Sequence, residues 1–324
     1  MVDSNFTIIN IKPATTVEWD QAWQECPYAC FSQSSQWYAL WEKHYNYHTE
    51  AFTIDTNMGF FLLPITYLPK LKGLHRHYYS SPLGTYGGVL GSTYLNNAEM
   101  KQIYMHVEKQ LKIHAIEITG NPYHNSASSG TNFTHIFDLS IETDEFLNNL
   151  SYNSRRKFNE SLAHQLFLEK SSYYDADLFT HFYQQKWTEW QNTGQPYSLD
   201  FFTDLMQIAG VDSWILKDDS GNIILVGICL QSKNSIQCWL YSSLNKYYIL
   251  KPYQSYFYHL MGYYRKNKWQ ILDLNPSGNL TGVAAAKDSF GAKRLYFDDY
   301  KSTNGWLPVI SQKWILLKSY LNKV

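Results

Sequence analysis

Apolar side chains recur along this chain with two periods, and the changes of period mark its elements. In residues 34–45, Trp37, Leu40, Trp41 and His44 fall on one helical face, and in 97–111 Met100, Ile103, Tyr104, Val107 and Leu111 do the same. Further helices are predicted at 17–23, 144–164, 176–191, 199–209, 252–266 and 283–290. Thr143 reads as the cap of the second-half opening helix, with Asp144 and Glu145 in its first turn. Runs rich in β-branched and aromatic residues predict strands at 6–11, 47–54, 59–67, 114–118, 134–139 and 166–173. A meander follows at 213–217, 223–231 and 235–243, and later strands at 269–274 and 294–297. From about 310 the C-terminal tail reads as a helix.

The order of elements is similar in the two halves, although no sequence repeat of fixed period is present. Each half runs through helices, a strand meander, a helix and closing strands. This predicts two copies of one mixed α/β unit, over residues 1–140 and 141–300, with a tail over 301–324 that packs back on the first unit.

Bulk properties narrow the class. The chain has 324 residues, 44% of them hydrophobic, enough for two cores and too apolar for disorder. Tyrosine (27) and tryptophan (11) are abundant, which suits clefts and interfaces or reflects an AT-rich genome. The 27 basic and 28 acidic residues nearly cancel, which argues against an overall nucleic-acid footprint. Cys26, Cys30, Cys229 and Cys238 read as buried reduced thiols, a cytoplasmic pattern. No signal-peptide pattern opens the sequence, no apolar run reaches the ~18 residues of a membrane span, and the histidines complete no metal site.

The chemistry concentrates in residues 269–297. They read as a strand, an Asn275-Pro276-Ser277-Gly278 loop, a short helix capped at Thr281 and stopped at Gly291, and a second strand. Lys287 lies in that helix behind three alanines; it is either a solvated helix lysine or a ligand for an anion or oxyanion. Strand alternation sets Asp273 opposite Leu272 and Leu274, facing a cleft, where it would orient or deprotonate an amine; the other reading is a turn aspartate. Tyr241 reads as an oxyanion donor or as core. Arg155 and Arg156, with Lys157, form a basic knot that binds phosphate or is simply solvated, and Lys251, ahead of Pro252 and a helix start, stands between the same two readings. Trp190 reads as core or cleft wall, and Tyr197 opens an aromatic helix start.

Several of these stretches resemble a family. NLSYNSRRKFNESLA at 149–163, YSLDFF at 197–202, and the pairing of 272–277 with AKDSFG at 286–291 are similar to the FemAB-like and CelD-like acyltransferases of the GNAT superfamily. SSQWYALW at 34–41 and Tyr86-Gly87-Gly88 resemble the family's amino-terminal copy. The resemblance implies tandem GNAT-like domains, each a mostly antiparallel twisted sheet flanked by helices. It implies transfer of an acyl or aminoacyl group to an amine, on a small-molecule or nucleotide-linked acceptor, in cell-envelope or polysaccharide metabolism of a bacterium. Lys287 matches the lysine that lies near the acceptor phosphates and the reacting carbonyl in the Fem branch, which draws on charged tRNA. Trp190, Tyr197, Arg155, Arg156 and Lys251 are then expected to bind substrate. One departure stands out: LNKYYILKPY at 244–253 has no glycine where the family's CoA-pyrophosphate loop belongs. Acyl-CoA therefore remains a donor without its usual cradle, and no tightly bound cofactor is expected. The even charge and the lack of a heptad run disfavour tRNA. A non-catalytic cell-envelope or sugar-binding scaffold is the alternative.

Overall fold

The computed structural model describes residues 6–70, 75–82, 85–124, 130–192, 195–278 and 280–303. The chain divides into two units. One comprises Met1–Cys26, Ser32–Asn125 and Asp298–Val324, the other Pro27–Phe31 and Ser126–Phe297.

The first unit opens with β1 (Ile8–Pro13), α1 (Thr16–Glu25) and α2 (Ser35–Tyr45). Both helices begin where a hydroxyl can take an orphan amide. Thr15 accepts from the Glu18 amide while Glu18 accepts from the Thr15 amide at 2.7 Å, and Ser34 accepts from the Trp37 amide. β2 (His48–Thr56) and β3 (Gly59–Lys70) form a hairpin, and β3 runs past the expected strand end at residue 67. β4 (His75–Tyr79), β5 (Leu90–Gly91), α3 (Asn97–Leu111) and β6 (Ala115–Ile118) follow. β4 and β6 are parallel, a pairing that needs a crossover, and α3 lies in it. Ile54, Phe61, Leu63 and Ile65 of the sheet meet Ile103 and Val107 of α3 in the core.

The second unit contains β7 (Asn132–Asp138), α4 (Thr143–Asn149), α5 (Tyr152–Leu162), β8 (Phe167–Ser171), α6 (Ala176–Glu189) and α7 (Leu199–Gln207). It continues through β9 (Val211–Lys217), β10 (Ile223–Gln231), β11 (Ser235–Ser243), α8 (Pro252–Lys266), β12 (Ile271–Asp273), α9 (Thr281–Ser289) and β13 (Lys293–Phe297). Its sheet runs β13-β7-β12-β11-β10-β9-β8. Only β11 and β12 are parallel among its described pairs, with α8 as the crossover. The core joins Leu216, Leu225, Ile236, Leu272 and Leu274 to Tyr256, Phe257, Leu260 and Tyr264 of α8. Finally β14 (Tyr300–Thr303) pairs antiparallel with β6 and completes the first unit's sheet. Two mostly antiparallel sheets flanked by helices are the mixed architecture that the element order predicts.

Three expectations are corrected. The boundary at 140 falls too late: β7 pairs with β12 and β13, so the strand expected to close the first unit belongs to the second. Periodicity shows that a segment is a strand, not which sheet it joins. The single helix expected over 144–164 is broken after Asn149. Ser151 is extended there and accepts from the Ser154 amide, so α5 has its own cap, and Leu150 turns into the core. Leu280, not Thr281, is the N-cap of α9. The tail helix expected from about 310 lies outside the described residues. The aromatic surplus largely fills interiors: Trp37, Trp41, Tyr38, Tyr86, Tyr256 and Tyr264 are fully buried. All four cysteines are buried.

Close packing gives a direct test. A Cβ at Gly227 of β10 would lie 2.0 Å from the Tyr256 hydroxyl, whereas one at Gly262 of α8 would meet nothing within 4 Å. Gly227→Ala is expected to destabilise by about 1–3 kcal/mol through overpacking. Gly262→Ala should instead stabilise by roughly 0.5–1 kcal/mol through helix propensity. Urea unfolding of the two variants beside the parent chain separates these outcomes.

Candidate active site

The site forms where β11 and β12 part. Their pairing runs Ser235↔Ile271, Ile236↔Leu272, Gln237↔Asp273 and then ends. Beyond it the Leu274 amide donates to the His135 carbonyl at 2.8 Å, so this chain segment follows β7. β11 stays with β10 but carries a bulge. Ile228 opposes Leu240 and Cys229 opposes Cys238, which leaves Trp239 as the extra residue. The bulge resets the alternation, so Cys238 and Tyr241, three residues apart, both pack on the core.

Asn275 spans the parted strands. Its Nδ2 donates to the carbonyls of Cys238 (2.8 Å) and Trp239 (3.3 Å), and its Oδ1 accepts from Gln237 Nε2 at 2.5 Å. The two carbonyls fix which end of the amide is which. Its backbone sits at φ +65°, a left-handed conformation that asparagine tolerates better than most residues. That turn aims the Asn275 carbonyl at α9, where Lys287 Nζ donates to it at 2.7 Å.

Lys287 is only 3% exposed. Burial lowers its pKa from 10.5 to about 8, against the opposing pull of Asp273 and Cys238. Asp273 is fully buried, at 0% exposure. Its Oδ1 accepts from Thr134 Oγ1 (2.5 Å) and from the Asn275 amide (2.8 Å). It does face away from Leu272 and Leu274, but into this enclosed network and not the expected open cleft. The next residue of α9 fixes the helix. Asp288 accepts from Arg294 at 3.1 and 2.6 Å and lies 3.0 Å from His135 Nε2, so α9 is bound to β13 and β7. Arg294 holds the Asp288 carboxyl below its usual range, and burial holds His135 below the usual imidazole value.

The other expected residues separate into groups. Tyr241 joins the site edge, its hydroxyl 3.4 Å from the Leu274 carbonyl, and burial pushes its phenol well up. Tyr197 stacks on Trp239, the bulged residue, at 5.6 Å, and on Tyr183 at 5.0 Å. Tyr183 in turn meets Trp190, which is 45% exposed at the end of α6. An aromatic row thus leads from the surface to the site. The basic residues form a different cluster. Arg156 lies 3.5 Å from Glu160, Lys251 Nζ is 2.6 Å from the same carboxylate, and Arg155 donates to the Leu150 carbonyl at 3.5 Å.

That cluster bears on the missing glycine loop. Residues Asn245–Leu250 form a 3₁₀ turn, and Lys251 follows at φ +49°. The turn is tied down by Lys186, a buried lysine of α6 that donates to Glu189 (2.9 Å), Asn245 (2.9 Å) and Tyr248 (2.7 Å). Pro252 supplies no amide at the start of α8, and Glu160 places a carboxylate beside Lys251. These residues do not fit a CoA pyrophosphate.

Thr134, Gln237, the bridging amide of Asn275 and the His135–Asp288–Arg294 link escape sequence reasoning, because each depends on a partner far along the chain. Lys186 had one available signal: a cation inside a run of Phe179, Phe182, Tyr183 and Trp187. Among the described residues no group of His, Cys, Asp or Glu is arranged to hold a metal, and no helix is long and apolar enough to cross a membrane.

By sequence, no family model and no curated protein matches this chain. Solved structures do match. FemX aligns with a TM-score of 0.67 at 11% identity, over 91% of this chain and 97% of FemX. The C-terminal domain of a protein assigned as a lysylphosphatidylglycerol synthetase, from Agrobacterium fabrum, aligns at 0.57 and 10% identity, over 91% of this chain and 94% of that domain. A conserved protein of unknown function from Bacteroides thetaiotaomicron aligns at 0.56 and 11% identity, over 92% of this chain and 100% of its own.

Burial of Lys287 sets a pH dependence. Between pH 8 and 10.5 the unfolded chain keeps a proton on this lysine that the folded protein has released, so folded stability gains as pH rises through that window. Relative to Lys287→Met, the parent chain should gain roughly 3 kcal/mol between pH 7.5 and pH 10.5. Urea unfolding of both proteins at the two pH values reads the difference. A constant offset would mean that Lys287 titrates normally.

Proposed function

We propose that this chain, whose fold is the GNAT-like, FemAB-type acyltransferase fold, moves an acyl or aminoacyl group onto an amine. The observation that carries the reading is the placement of Lys287. A buried lysine lowered to about 8, held by a neutral carbonyl beside a buried carboxylate, is poised to be protonated or neutral near physiological pH. As the amine attacks, a C–N bond forms and the carbonyl electrons move onto oxygen. The Lys287 ammonium donates a hydrogen bond to that oxygen; as the intermediate collapses the bond from the carbonyl carbon to the leaving group breaks, the leaving group takes the Lys287 proton, and the neutral lysine is restored to the ammonium by the proton that the attacking nitrogen releases. Asp273 acts through Lys287: its negative charge favours the ammonium form, and its bonds to Thr134 and the Asn275 amide hold the loop that orients it. The row Trp190–Tyr183–Tyr197–Trp239 forms a wall for the substrate, and the Arg155–Arg156–Lys251 cluster is a secondary contact for an anionic part of it.

The turn ahead of α8 is glycine-free and faced by Glu160, which speaks against a grip on a CoA pyrophosphate there and leaves acyl-CoA a donor without its usual cradle. An aminoacyl donor suits this better than acyl-CoA. FemX and the lysylphosphatidylglycerol synthetase domain share the fold, and the second name denotes lysyl transfer to a lipid. A cell-envelope acceptor and a cytoplasmic setting belong to this proposal.

The test is transfer of radiolabel from a panel of donors (acetyl-CoA, and tRNA charged with lysine, alanine or serine) to a panel of primary amines. Lys287→Ala should lower the rate by about 10²–10³, the cost of losing one oxyanion donor. In the parent chain the rate should fall as pH rises through about 8, where Lys287 loses its proton, and Lys287→Arg should carry that falling limb to higher pH. If the folded parent chain transfers from no donor, catalysis is excluded and the binding-scaffold reading replaces it.

A further inference from the structure

Each unit has one parallel strand pair among its described residues, and each pair ends at a carboxylate. In the second unit the last partners are Gln237 and Asp273; in the first they are Tyr79 and Glu117. Past Tyr79 the strands of the first unit also part. The Ser80 amide donates to the Glu117 carbonyl at 2.9 Å, and the Thr119 amide turns to Ser80 Oγ at 2.9 Å. The parting leaves a cavity of about 270 Å³ whose walls include Tyr47, Leu68, Tyr79, Ser81, Glu117 and Thr119. The carboxyl ends of adjacent parallel strands are where open sheets commonly take ligands.

The chemistry of the cavity selects the ligand. Ser80 and Ser81 are already satisfied by their own neighbours, Ser81 through the Ser32 carbonyl and Thr85. The Tyr79 hydroxyl makes no hydrogen bond among the described residues, and its ring stacks on His77 at 4.4 Å. The Glu117 side chain is 31% exposed; Lys301 pairs with one oxygen, and His77 Nε2 lies 3.8 Å from the other. Asp299 shares the same field. Its carboxyl is pushed up by burial first, and further by Glu117 and Asp298, while the Gly120 amide and Lys301 pull the other way. Among the described residues Lys301 thus faces both Glu117 and Asp299, and the rest of the cavity offers phenol faces and hydroxyls.

We propose that this cavity binds a small primary ammonium compound, with the cation on Glu117 and its carbon skeleton against Tyr47, Tyr79 and Leu68. The site stands independently of Lys287, since every residue in it belongs to the first unit. Lys301 is then an internal competitor for the same carboxylate.

Isothermal titration of the full chain with n-butylammonium chloride, n-butanol and sodium butyrate tests this. Saturable binding is expected for the ammonium probe alone. Glu117→Gln should weaken it about tenfold or more, and Lys301→Gln should tighten it about threefold by removing the competitor. Backbone amide signals of Ser81 and Thr119 in the unsubstituted chain should shift as the probe saturates, a reading that survives if Glu117→Gln fails to fold. Butylammonium binding no tighter than butanol, or Ser81 and Thr119 signals that stay fixed, would sink the proposal.

Discussion

One side chain holds the second unit's site together. Where β11 and β12 part, two backbone carbonyls of β11 lose the partners that a continuing ladder would supply, and a buried unpaired carbonyl is costly. Asn275 meets both with one amide group, and its own acceptor is taken by Gln237. It does so from a left-handed backbone position, and that backbone turn points its carbonyl at Lys287 and its amide at Asp273. The cation, the carboxylate and the parted strands are thus coupled through one residue. A glycine would keep the turn and lose the bridge, while a β-branched residue would lose the turn.

The charge arrangement follows from burial. An isolated lysine in this position would be driven further towards neutrality; Asp273 opposes that, and Lys287 settles between the two extremes. Asp273 is in turn stabilised by a hydroxyl and a backbone amide, which donate to it without adding charge. Geometry is fixed from outside the pair. Asp288, bound to Arg294 and His135, sets the rotation of α9, and the adjacent Lys287 has to point inward.

Much of this architecture was legible in the sequence, and the reasons for the exceptions are specific. Asn97–Leu111 and Pro252–Lys266 show helical apolar spacing with a capping residue or an N1 proline, and the structure has both helices at those bounds. The strand–loop–helix–strand around Lys287 was legible from turn residues and Gly291, which sits at φ +80°. What failed was long-range. β7 resembles the end of one unit because it follows that unit in sequence, but its hydrogen bonds lie with β12 and β13. The break between α4 and α5 turns on Ser151, a residue that fits equally well inside a polar helix face or at a cap. The bulge at Trp239 leaves no mark in hydrophobic alternation until the partner strand is known, yet it decides that Tyr241 faces the core.

The two parallel pairs show how one topology yields two different surroundings for a carboxylate. In each unit a strand returns beside an earlier one and stops at an acidic residue, Asp273 or Glu117. After Asp273 the chain makes the Asn275 turn and lays α9 over the end of the strand, so the counter-cation comes from a helix and the carboxylate is sealed from water. After Glu117 no helix follows directly among the described residues; the covering cation comes from β14, a strand distant in sequence, and the carboxylate stays partly open. Enclosure perturbs the lysine of the second unit into the range useful for proton transfer, while the open arrangement leaves the first unit's carboxylate accessible to solvent. The difference lies in the element that follows the parallel strand, and not in the sheet itself.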